Sequence, residues 1–504
     1  MGEISFPMGL LAIGSFLRKN RVDLEIVDFD LELKRHLLLK KWHYFKNYVI
    51  RRLKKTGAEF FGITSICSNY PVALLLAKEI RKRWPKCHIV FGGPHPSAVP
   101  EETLRVCPWV DVVVIGEGEV TFLELAKTDF SASSLQDISG IVFRNGEEII
   151  RTPNREPIDS LDSLPFPDFD LVVLENYLSY APRISLIEAG RGCPFFCSFC
   201  STSKMWGQQF RIKSPDRILE EMRFLSRRYQ LTSFGLIHDN FTTSRRFMDE
   251  FCDFFINNNH ENFHWSASAR SDALNRERLY DMERAGCRGL FFGVESGSPT
   301  IQKAIHKHLN LEQFQENHRI AASIGIPPIT SLIIGFPEET EEDIEYTIRL
   351  GLWAKLNGSS VVQLHPLRVL PGTKIYEDNH FSLLYDPISI SWDFNKQPHV
   401  DKEIEQFIKA NPRLFTSFYS IITPFIGSLN LESVAFFYHE LINCMASDIQ
   451  NIFDTTPLNP LNLFRCWADW KCREYPNHPM NRQILLGTFA DFLRATHGIM
   501  EAFC

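Results

Sequence analysis

The chain has 504 residues, 44% of them hydrophobic, and a formal net charge of -7. The length predicts about three domains, and a weak negative charge spread along the chain gives no reason to expect a nucleic-acid partner. The first residues contain no basic segment followed by an apolar one, and the apolar runs are shorter than the roughly 18 residues that span a membrane. We therefore expect a cytoplasmic protein with no transmembrane segment.

Residues 1–125 alternate amphipathic segments with the short apolar runs LEIVDFD, FFGITSI, HIVFGG and DVVVIGEGE. Such runs are typical of parallel strands buried on both faces, so an α/β domain with a doubly wound, Rossmann-like sheet is predicted. Ligands on such sheets bind at the carboxyl ends of the strands, where glycines let them approach the backbone. The candidate residues at these ends are Thr64, Ser65, Gly92, Gly93, Gly116, Glu117 and Gly118.

Residues 126–182 show little periodicity and include a proline-rich stretch, RTPNREPIDSLDSLPFPDFD, which predicts a connector laid over the surface. Over residues 183–378, strand-like and helix-like segments alternate regularly. The six predicted strands are ISLIEAG, SFGLIHDN, FHWSASAR, GLFFGVES, PITSLIIGF and SVVQLHPLRV. They predict a partial (β/α)6 barrel whose reactive face is the carboxyl ends of the strands. Residues 379–504, which are rich in aromatic residues, predict a mostly helical C-terminal region.

Three cysteines, Cys193, Cys197 and Cys200, follow the first barrel strand with the spacing Cys-x3-Cys-x2-Cys. In a reducing compartment, clustered cysteines are more often metal ligands than disulfides. Zinc usually takes four ligands as two separated pairs, and no second pair follows this motif. Three thiolates instead suit a [4Fe-4S] cluster with one iron open to a substrate or cofactor.

At this motif the sequence resembles the radical S-adenosylmethionine (radical SAM) enzymes. The resemblance continues through GLFFGVESGS and GIPPITSLIIGFPEETEED, so it covers the whole predicted barrel. It implies that the three cysteines ligate the cluster, that adenosylmethionine chelates the open iron, and that electron transfer then gives a 5'-deoxyadenosyl radical. It also implies contacts to adenosylmethionine from Phe199, Asp239, Ser268, Arg270 and Glu295.

The motifs FGGPHPS and VIGEGE, ahead of such a barrel, resemble the cobalamin-binding domain of cobalamin-dependent radical SAM enzymes. This resemblance implies cobalamin at the strand ends of residues 60–120. The Asp-x-His-x2-Gly signature, which supplies an axial histidine in other cobalamin proteins, is absent from the sequence. His95 is interpreted as a turn residue. Relatives usually open with a strand before FPMGLLAIGSFLRKN, so the first strand of this domain is predicted to be missing.

The remaining cysteines predict no second cluster. Cys67 follows its predicted strand, whereas Cys87 and Cys107 precede theirs, which places them at opposite edges of a parallel sheet. They are interpreted as small buried residues. The cysteines of the C-terminal region match no cluster spacing; they are Cys444, Cys466, Cys472 and Cys504.

The resemblance leads to three hypotheses about function. The first is a methyltransferase that acts on an unactivated carbon and releases one S-adenosylhomocysteine and one 5'-deoxyadenosine per product. The second keeps the radical step but performs a cyclisation, oxidation or rearrangement, and the third is a cobalamin-binding sensor or carrier. The fold alone does not separate them. The implied partners are an electron donor such as flavodoxin or ferredoxin and a small metabolite, lipid, tetrapyrrole or peptide as substrate.

Overall fold

The computed structural model describes residues 6–35, 41–178, 184–379, 382–385, 401–421, 430–476, 478 and 481–496. The chain divides into two compact units, and neither is one continuous stretch of sequence. The first unit contains Met1–Phe241, His260–Phe263 and Arg368–Ser420. The second unit contains Thr242–Asn259, His264–Leu367 and Ile421–Cys504.

A five-stranded sheet forms the N-terminal part of the first unit. Its strands, in spatial order, are β1 (Phe60–Thr64), β2 (His88–Gly92), β3 (Val112–Val114), β4 (Ile141–Asn145) and β5 (Glu148–Arg151). β1, β2 and β3 run parallel. Alternate residues face opposite sides, since Phe91 and Val113 join one buried apolar cluster whereas Val90 and Val112 join another. The predicted doubly wound sheet is confirmed.

Helices cover this sheet, and the longer ones carry an apolar face at helical spacing. In α3, for example, Trp42, Phe45, Val49 and Leu53 are buried and recur every three or four residues. The helices of this part are α1 (Met8–Lys19), α2 (Phe29–Arg35), α3 (Trp42–Lys54), α4 (Tyr70–Arg83), α5 (Pro94–Ala98), α6 (Pro100–Val106), α7 (Glu119–Leu125) and α8 (Ala132–Gln136).

The predicted strand LEIVDFD is wrong. Residues 22–28 belong to no strand, and α2 begins at Phe29. The apolar side chains of Leu24 and Ile26 instead pack on α1, where their Cδ1 atoms would lie 3.3 and 3.0 Å from a Cβ placed on Gly14. Packing against a helix therefore satisfies the apolar pattern that suggested a strand. The prediction of a missing first strand falls on residues 1–5, which lie outside the described residues.

The predicted surface connector is wrong for residues 141–151, which form an antiparallel hairpin on the edge of the sheet. Phe143 pairs with Val112, and Val142 pairs with Arg151. The hairpin turns at Gly146, whose φ is +63°, a conformation that favours glycine. Asn-Gly between apolar runs is a strong hairpin signal, and the sequence interpretation overlooked it.

The chain of the first unit continues into the first two barrel strands. These elements are α9 (Leu174–Leu178), β6 (Ile184–Glu188), β7 (Gly190–Arg191), α10 (Thr202–Trp206), β8 (Arg211–Ile212), α11 (Pro215–Tyr229) and β9 (Ser233–Ile237). β6 pairs with β9 in parallel, so both strands end at the same edge. α11 begins at Pro215 because the Ser214 side chain accepts a hydrogen bond from the Arg217 N–H.

The second unit holds four further parallel strands in the spatial order β13, β12, β11, β10. Its elements are α12 (Arg245–Asn258), β10 (His264–Ala269), α13 (Arg276–Arg284), β11 (Cys287–Glu295), α14 (Pro299–Ala304), α15 (Leu311–Ser323), β12 (Pro328–Ile334), α16 (Glu341–Leu356) and β13 (Val361–Pro366). All six predicted barrel strands are therefore present in the two units, with helices between them, and the predicted (β/α)6 pattern is confirmed.

The chain after the barrel is shared between the units. In the first unit, Ile408, Leu414, Phe415 and Phe418 join the buried cluster that covers one face of the five-stranded sheet. This segment contains α17 (Lys374–Asn379), β14 (Leu383–Tyr385) and α18 (Lys402–Ala410), and it ends with β15 (Tyr419–Ile421). The predicted domain boundaries at 125, 182 and 378 stay predictions.

Three helices complete the second unit: α19 (Leu431–Thr455), α20 (Pro460–Glu474) and α21 (Arg482–Thr496). They confirm the predicted helical C-terminal region for the described residues 430–496. Their aromatic residues form a core. In it, the ring centroid of Phe437 lies 4.7 Å from that of Trp467 and 5.5 Å from that of Phe489. Among the helices that the structure describes, none has the length and apolar character required to cross a membrane.

The turn before α16 contains a fully buried carboxyl group, Glu339. Its Oε2 accepts hydrogen bonds from the backbone N–H groups of Gly335 and Phe336, whereas its Oε1 has no partner within the described residues. Burial raises the pKa of Glu339 from 4.5 to about 8, although these two backbone hydrogen bonds oppose the shift. The folded protein therefore binds this proton more tightly than the unfolded chain does.

We expect Glu339 to make the stability of the protein depend on pH. A group whose pKa is raised on folding contributes its full stabilisation below its unfolded pKa of 4.5 and loses it as the pH rises to about 8. The free energy of unfolding, measured in urea between these pH values, should therefore fall more steeply for the wild type than for Glu339→Gln. The exposed neighbour Glu338 provides the control, Glu338→Gln, which should keep the wild-type slope. Equal slopes in all three proteins would contradict the assignment.

Candidate active site

The predicted cluster cysteines lie on one loop directly after β7. Two glycines shape its start, because a Cβ on Gly190 would lie 2.4 Å from the Arg211 carbonyl oxygen and one on Gly192 would lie 2.1 Å from the Gln209 carbonyl oxygen. Gly192 also has a φ of +88°. No larger residue fits between two backbone segments this close. These glycines therefore fix where Cys193 begins the loop.

The three thiols of the loop match the ligand set of a [4Fe-4S] cluster. Cys193, Cys197 and Cys200 are all half-buried, and the Cys200 N–H donates to the Cys197 carbonyl oxygen at 3.1 Å. Across the described residues, no three His, Cys, Asp or Glu side chains are gathered in a metal-binding arrangement. The loop thus provides the right donors on one short segment, and a bound cluster would draw the thiols together.

Three hydrogen bonds hold this loop and the start of α10 from outside. Asp239, which follows β9, accepts from the Gly192 N–H at 3.0 Å and from the Thr202 hydroxyl at 3.2 Å. The Ile375 N–H donates to the Ser198 carbonyl oxygen at 3.0 Å, next to half-buried Phe199. Asp239 therefore lies at the cysteine loop, of which Phe199 is a part, and the contacts of both residues to adenosylmethionine stay predictions.

A buried ion network joins the cysteine loop to the end of β3. The Arg191 guanidinium contacts Glu188 at 2.9 Å, Glu119 at 2.5 Å and Glu117 at 3.2 Å. Arg211 makes a second ion pair with Glu117. The side chain of Arg191 is only 2% exposed. Burial alone would lower its pKa, but the carboxylates of Glu188 and Glu119 outweigh this, so the pKa of Arg191 is raised.

The carboxyl ends of β1 and β2 lie side by side, with Thr64 opposite Gly92. A Cβ on Gly92 would have only the Val114 Cβ nearby, at 3.7 Å, so there is space beside it. The hydroxyl oxygens of Ser65 and Ser68 are buried there without a hydrogen-bond partner in the described chain. Unpaired buried hydroxyls are costly unless a ligand or water binds them. This edge therefore fits a bound molecule rich in polar groups.

The other predicted residues of this edge contact the protein itself. Gly93 has a φ of +104°, and its Cβ would lie 2.7 Å from the Thr64 hydroxyl. A Cβ on Gly118 would lie 2.9 Å from Ile13 in α1, and the Gly116 N–H donates to the Ser97 hydroxyl at 3.0 Å. Besides its two ion pairs, Glu117 accepts from the Ile158 N–H at 3.0 Å. These contacts are structural, and the proposed ligand roles of these residues stay predictions.

The interpretation of His95 as a turn residue is wrong, because His95 lies in the short helix α5, where it is buried inside the first unit. Its Nε2 lies 2.8 Å from the Leu414 carbonyl oxygen, and its ring lies 4.7 Å from the Tyr70 ring. Burial lowers the pKa of His95 to about 4, against the backbone hydrogen bond that raises it. A neutral imidazole thus links α5 to the chain after the barrel.

The second unit holds the other predicted residues at the ends of β10 and β11. Arg270 forms a two-point ion pair with Asp272, at 3.0 and 2.6 Å, and donates to the Lys307 carbonyl oxygen at 2.9 Å. Glu295 pairs with Lys307 at 2.7 Å. Ser268 is half-buried on β10, opposite Phe291 of β11. Their contacts to adenosylmethionine stay predictions.

Sequence reasoning missed Arg191 and Lys307. The signal for Arg191 was available, because a charged residue between two glycines directly before the first cysteine is unusual in an apolar barrel strand. No comparable signal marks Lys307, since its partner Glu295 is defined only by the fold. Cys87 and Cys107 are buried, as predicted, whereas Cys67 is half-buried.

We expect removal of the Arg191 charge to destabilise the first unit. Arg191→Met would leave buried carboxylates without their cation, which typically costs about 3–5 kcal/mol. The free energy of unfolding, measured by denaturant titration, should fall by this amount. The matched control is Arg246→Met, because Arg246 and its partner Glu250 are 89% and 56% exposed and such pairs contribute little. A loss of stability in Arg191→Met no larger than in the control would contradict this reasoning.

Two family models match the chain in succession. Residues 1–126 match the B12 binding domain, and residues 187–351 match the Radical SAM superfamily. The uncharacterized methyltransferase PH0819 of Pyrococcus horikoshii is 29% identical over 428 residues, which cover 83% of this chain and 89% of that protein.

Two further proteins show different degrees of similarity. The anaerobic magnesium-protoporphyrin IX monomethyl ester cyclase of Cereibacter sphaeroides is 28% identical over 308 residues, which cover 59% of this chain and 50% of that protein. The radical S-adenosylmethionine methyltransferase TsrM of Kitasatospora setae, solved with cobalamin and a [4Fe-4S] cluster, superposes with a TM-score of 0.65 and 15% identity over 92% of this chain and 97% of that chain. TsrM therefore shares the fold. Together, these findings confirm the predicted family, fold class and cofactors: the chain belongs to the radical SAM enzymes that carry a B12-binding domain and use a [4Fe-4S] cluster, S-adenosylmethionine and cobalamin.

Proposed function

We propose that this enzyme is a cobalamin-dependent radical SAM methyltransferase that acts on an unactivated carbon. One observation carries the proposal. Both family domains lie in this one chain, and 83% of the chain matches a protein named as a methyltransferase. Removal of a hydrogen atom and delivery of a methyl group are the two halves of methylation at such a carbon. A radical SAM domain supplies the first half, and a B12-binding domain supplies a methyl carrier for the second.

Cys193, Cys197 and Cys200 would hold the cluster, since they supply three thiols on one loop. When bound, the cluster and adenosylmethionine supply the radical, and cobalamin carries the methyl group. The task of the chain is to orient these groups. Asp239 fastens the start of the loop through Gly192, and the Ile375 N–H fastens its middle through Ser198. Phe199 would pack against the adenine.

The adenosylmethionine contacts in the second unit are proposed for Ser268, Arg270 and Glu295. Arg270 already pairs with Asp272. This ion pair would hold the Arg270 guanidinium in one position for its contact to adenosylmethionine. Glu295 offers a carboxylate that accepts hydrogen bonds. For cobalamin, the unpaired hydroxyl of Ser65 supports a polar contact, and the space at Gly92 supports approach of the corrin. Thr64, Gly93, Gly116, Glu117 and Gly118 would form the surrounding edge.

The alternative is a radical SAM cyclase, which the similarity to the magnesium-protoporphyrin ester cyclase favours. The chain spans only half the length of that cyclase, so methyl transfer is the better supported activity. A sensor or carrier would need neither the cysteine loop nor a radical domain. A reductant is required in every enzymatic case, and we propose a low-potential carrier such as flavodoxin or ferredoxin in a reducing compartment.

We expect a large side chain at Gly92 to block cobalamin. Gly92→Leu adds bulk where only Val114 lies within 4 Å, and overpacking of the corrin contact should lower cobalamin retention at least about fivefold. The measurement is the cobalamin-to-protein ratio after reconstitution with hydroxocobalamin. Gly93 is unsuitable for this test, because its φ of +104° would strain any substitution.

The control for this test is Gly487→Leu, since a Cβ on Gly487 would have nothing within 4 Å. It should retain wild-type cobalamin, and both variants should retain wild-type iron. If Gly92→Leu binds cobalamin as well as the wild type, the site lies elsewhere.

Methyl transfer is testable without knowledge of the substrate. Anaerobically reconstituted enzyme would be incubated with a chemical reductant and adenosylmethionine carrying a deuterated methyl group. We expect S-adenosylhomocysteine and 5'-deoxyadenosine in solution and deuterium in the cobalamin fraction, all measured by mass spectrometry. The triple variant Cys193→Ala, Cys197→Ala, Cys200→Ala should form no 5'-deoxyadenosine, because the cluster has lost its ligands.

The outcomes separate the three hypotheses. Formation of 5'-deoxyadenosine without deuterium in cobalamin would exclude methylation and favour the cyclase or a rearrangement. Retained cobalamin without cleavage of adenosylmethionine would favour the sensor or carrier.

A further inference from the structure

In the described chain, β13 is the outermost strand of the barrel sheet, and it pairs with β12 on its inner side. The Leu367 N–H donates to the Ile334 carbonyl oxygen of β12 at 2.8 Å. By the alternation of a parallel ladder, Val362, Leu364 and Pro366 therefore direct their backbone groups away from β12. An uncovered row of such groups is a ready site for pairing with another strand.

Two polar side chains of α19 cover this edge, one helical turn apart. Asn443 accepts from the Val362 N–H through Oδ1 at 2.9 Å and donates through Nδ2 to the Val362 carbonyl oxygen at 2.6 Å. Its amide thus takes the place of a peptide group on a neighbouring strand. His439 accepts from the Leu364 N–H through Nδ1 at 3.4 Å. Since Pro366 has no N–H, α19 satisfies each outward N–H group of β13.

Apolar contacts place the covering part of α19. Val362 is fully buried, and a Cβ on Gly351 of α16 would lie 3.3 Å from both the Val362 Cγ1 and the Ile442 Cδ1. α19 is kinked at Met445, where φ is -138° and ψ is 33°. The regular helix that covers the edge therefore ends two residues after Asn443.

The two covering side chains respond differently to acid. The Asn443 amide does not titrate. The His439 imidazole accepts through Nδ1 only while it is neutral, because an imidazolium carries a proton on both ring nitrogens. Protonation of His439 therefore removes the acceptor of the Leu364 N–H and leaves the hydrogen bonds of Val362 in place.

Three charged or titratable groups face His439. Glu440 of α19 and Arg482 of α21 pair with each other at 3.0 Å, and the ring centroid of His365 on β13 lies 6.3 Å from that of His439. Burial lowers the pKa of His439 from its ordinary value of 6.5; Glu440 opposes this shift, and Arg482 adds to it. The folded protein thus favours the neutral imidazole that the Leu364 N–H requires.

We propose that His439 is a pH-sensitive latch on the free edge of the barrel, and that its protonation releases the Leu364 N–H while Asn443 continues to hold Val362. Because the pKa of His439 is lowered on folding, the latch is closed above pH 6.5 and opens as the pH falls below that value. Release would make one N–H of the last barrel strand available to solvent or to another strand. The latch depends on β13 and α19 and not on the proposed activity.

The test is hydrogen–deuterium exchange at single residues of β13, measured by mass spectrometry with fragmentation of the peptides. The full chain, reconstituted with its cluster and cobalamin, would be compared at two pH values. After correction for the pH dependence of intrinsic exchange, protection of the Leu364 amide should fall at least about fivefold from about pH 8 to about pH 5.5. Protection of the Val362 amide should stay constant within about twofold, because Asn443 does not titrate.

Two variants of the latch give opposite results. His439→Gln keeps a neutral acceptor, so Leu364 should stay protected at both pH values. His439→Leu has no acceptor, so Leu364 should be weakly protected at both. If His439→Leu fails to fold, His439→Gln still decides. The matched control is His365→Gln, which removes the neighbouring imidazole and should keep the pH dependence of the wild type.

Three results would overturn the latch. Equal loss of protection at Val362 and Leu364 in acid would show that the whole covering helix opens. Protection of Leu364 that is independent of pH in the wild type would show that no titrating group holds this N–H. Loss of the pH dependence in His365→Gln would assign the titration to His365. The proposed function stands in each case, because the measurement involves no turnover.

Discussion

The Arg191 guanidinium is buried away from water. It remains charged there because three carboxylates surround it. Two of them, Glu117 and Glu119, come from the end of β3 and the start of α7, and the third, Glu188, ends β6. Arg191 also directly precedes the glycine before the first cysteine. The sheet that carries the B12-binding motifs and the loop that carries the thiols are thus fixed to each other by one guanidinium. The relative position of this sheet edge and the cysteine loop depends on this contact.

A similar arrangement occurs at the ends of β9 and β11. An acidic side chain at each of these strand ends is held by partners inside the protein. Asp239 is fastened through Gly192 and Thr202, and Glu295 is fastened through Lys307. This arrangement lowers the mobility of each group before a cofactor arrives, so less conformational freedom is lost on binding.

The sequence was informative where local pattern determines structure. The regular alternation after residue 183 predicted the barrel strands, because strand and helix patterns depend on neighbouring residues. Prediction failed where one sequence pattern is compatible with two structures. The apolar run at Leu24 and Ile26 was predicted as a strand but packs on a helix. The hairpin at Asn145–Gly146 lies in a segment that was predicted to be an irregular connector. The partners of Arg191 and Lys307 could not be predicted from the sequence. Glu119, for example, lies 72 residues from Arg191, and only folding brings the two side chains together.

The division of the chain into two interleaved units has a consequence for biosynthesis. The apolar face formed by α4 and Trp109 is covered by Ile408, Leu414 and Phe415, which a ribosome adds roughly 300 residues later, or about 15–60 s at ordinary elongation rates. Throughout that interval the nascent N-terminal sheet exposes this apolar surface, because the barrel is still being synthesised. Heterologous expression at a slow translation rate would prolong this exposure. Chaperones that bind nascent chains would then protect the exposed apolar surface from aggregation.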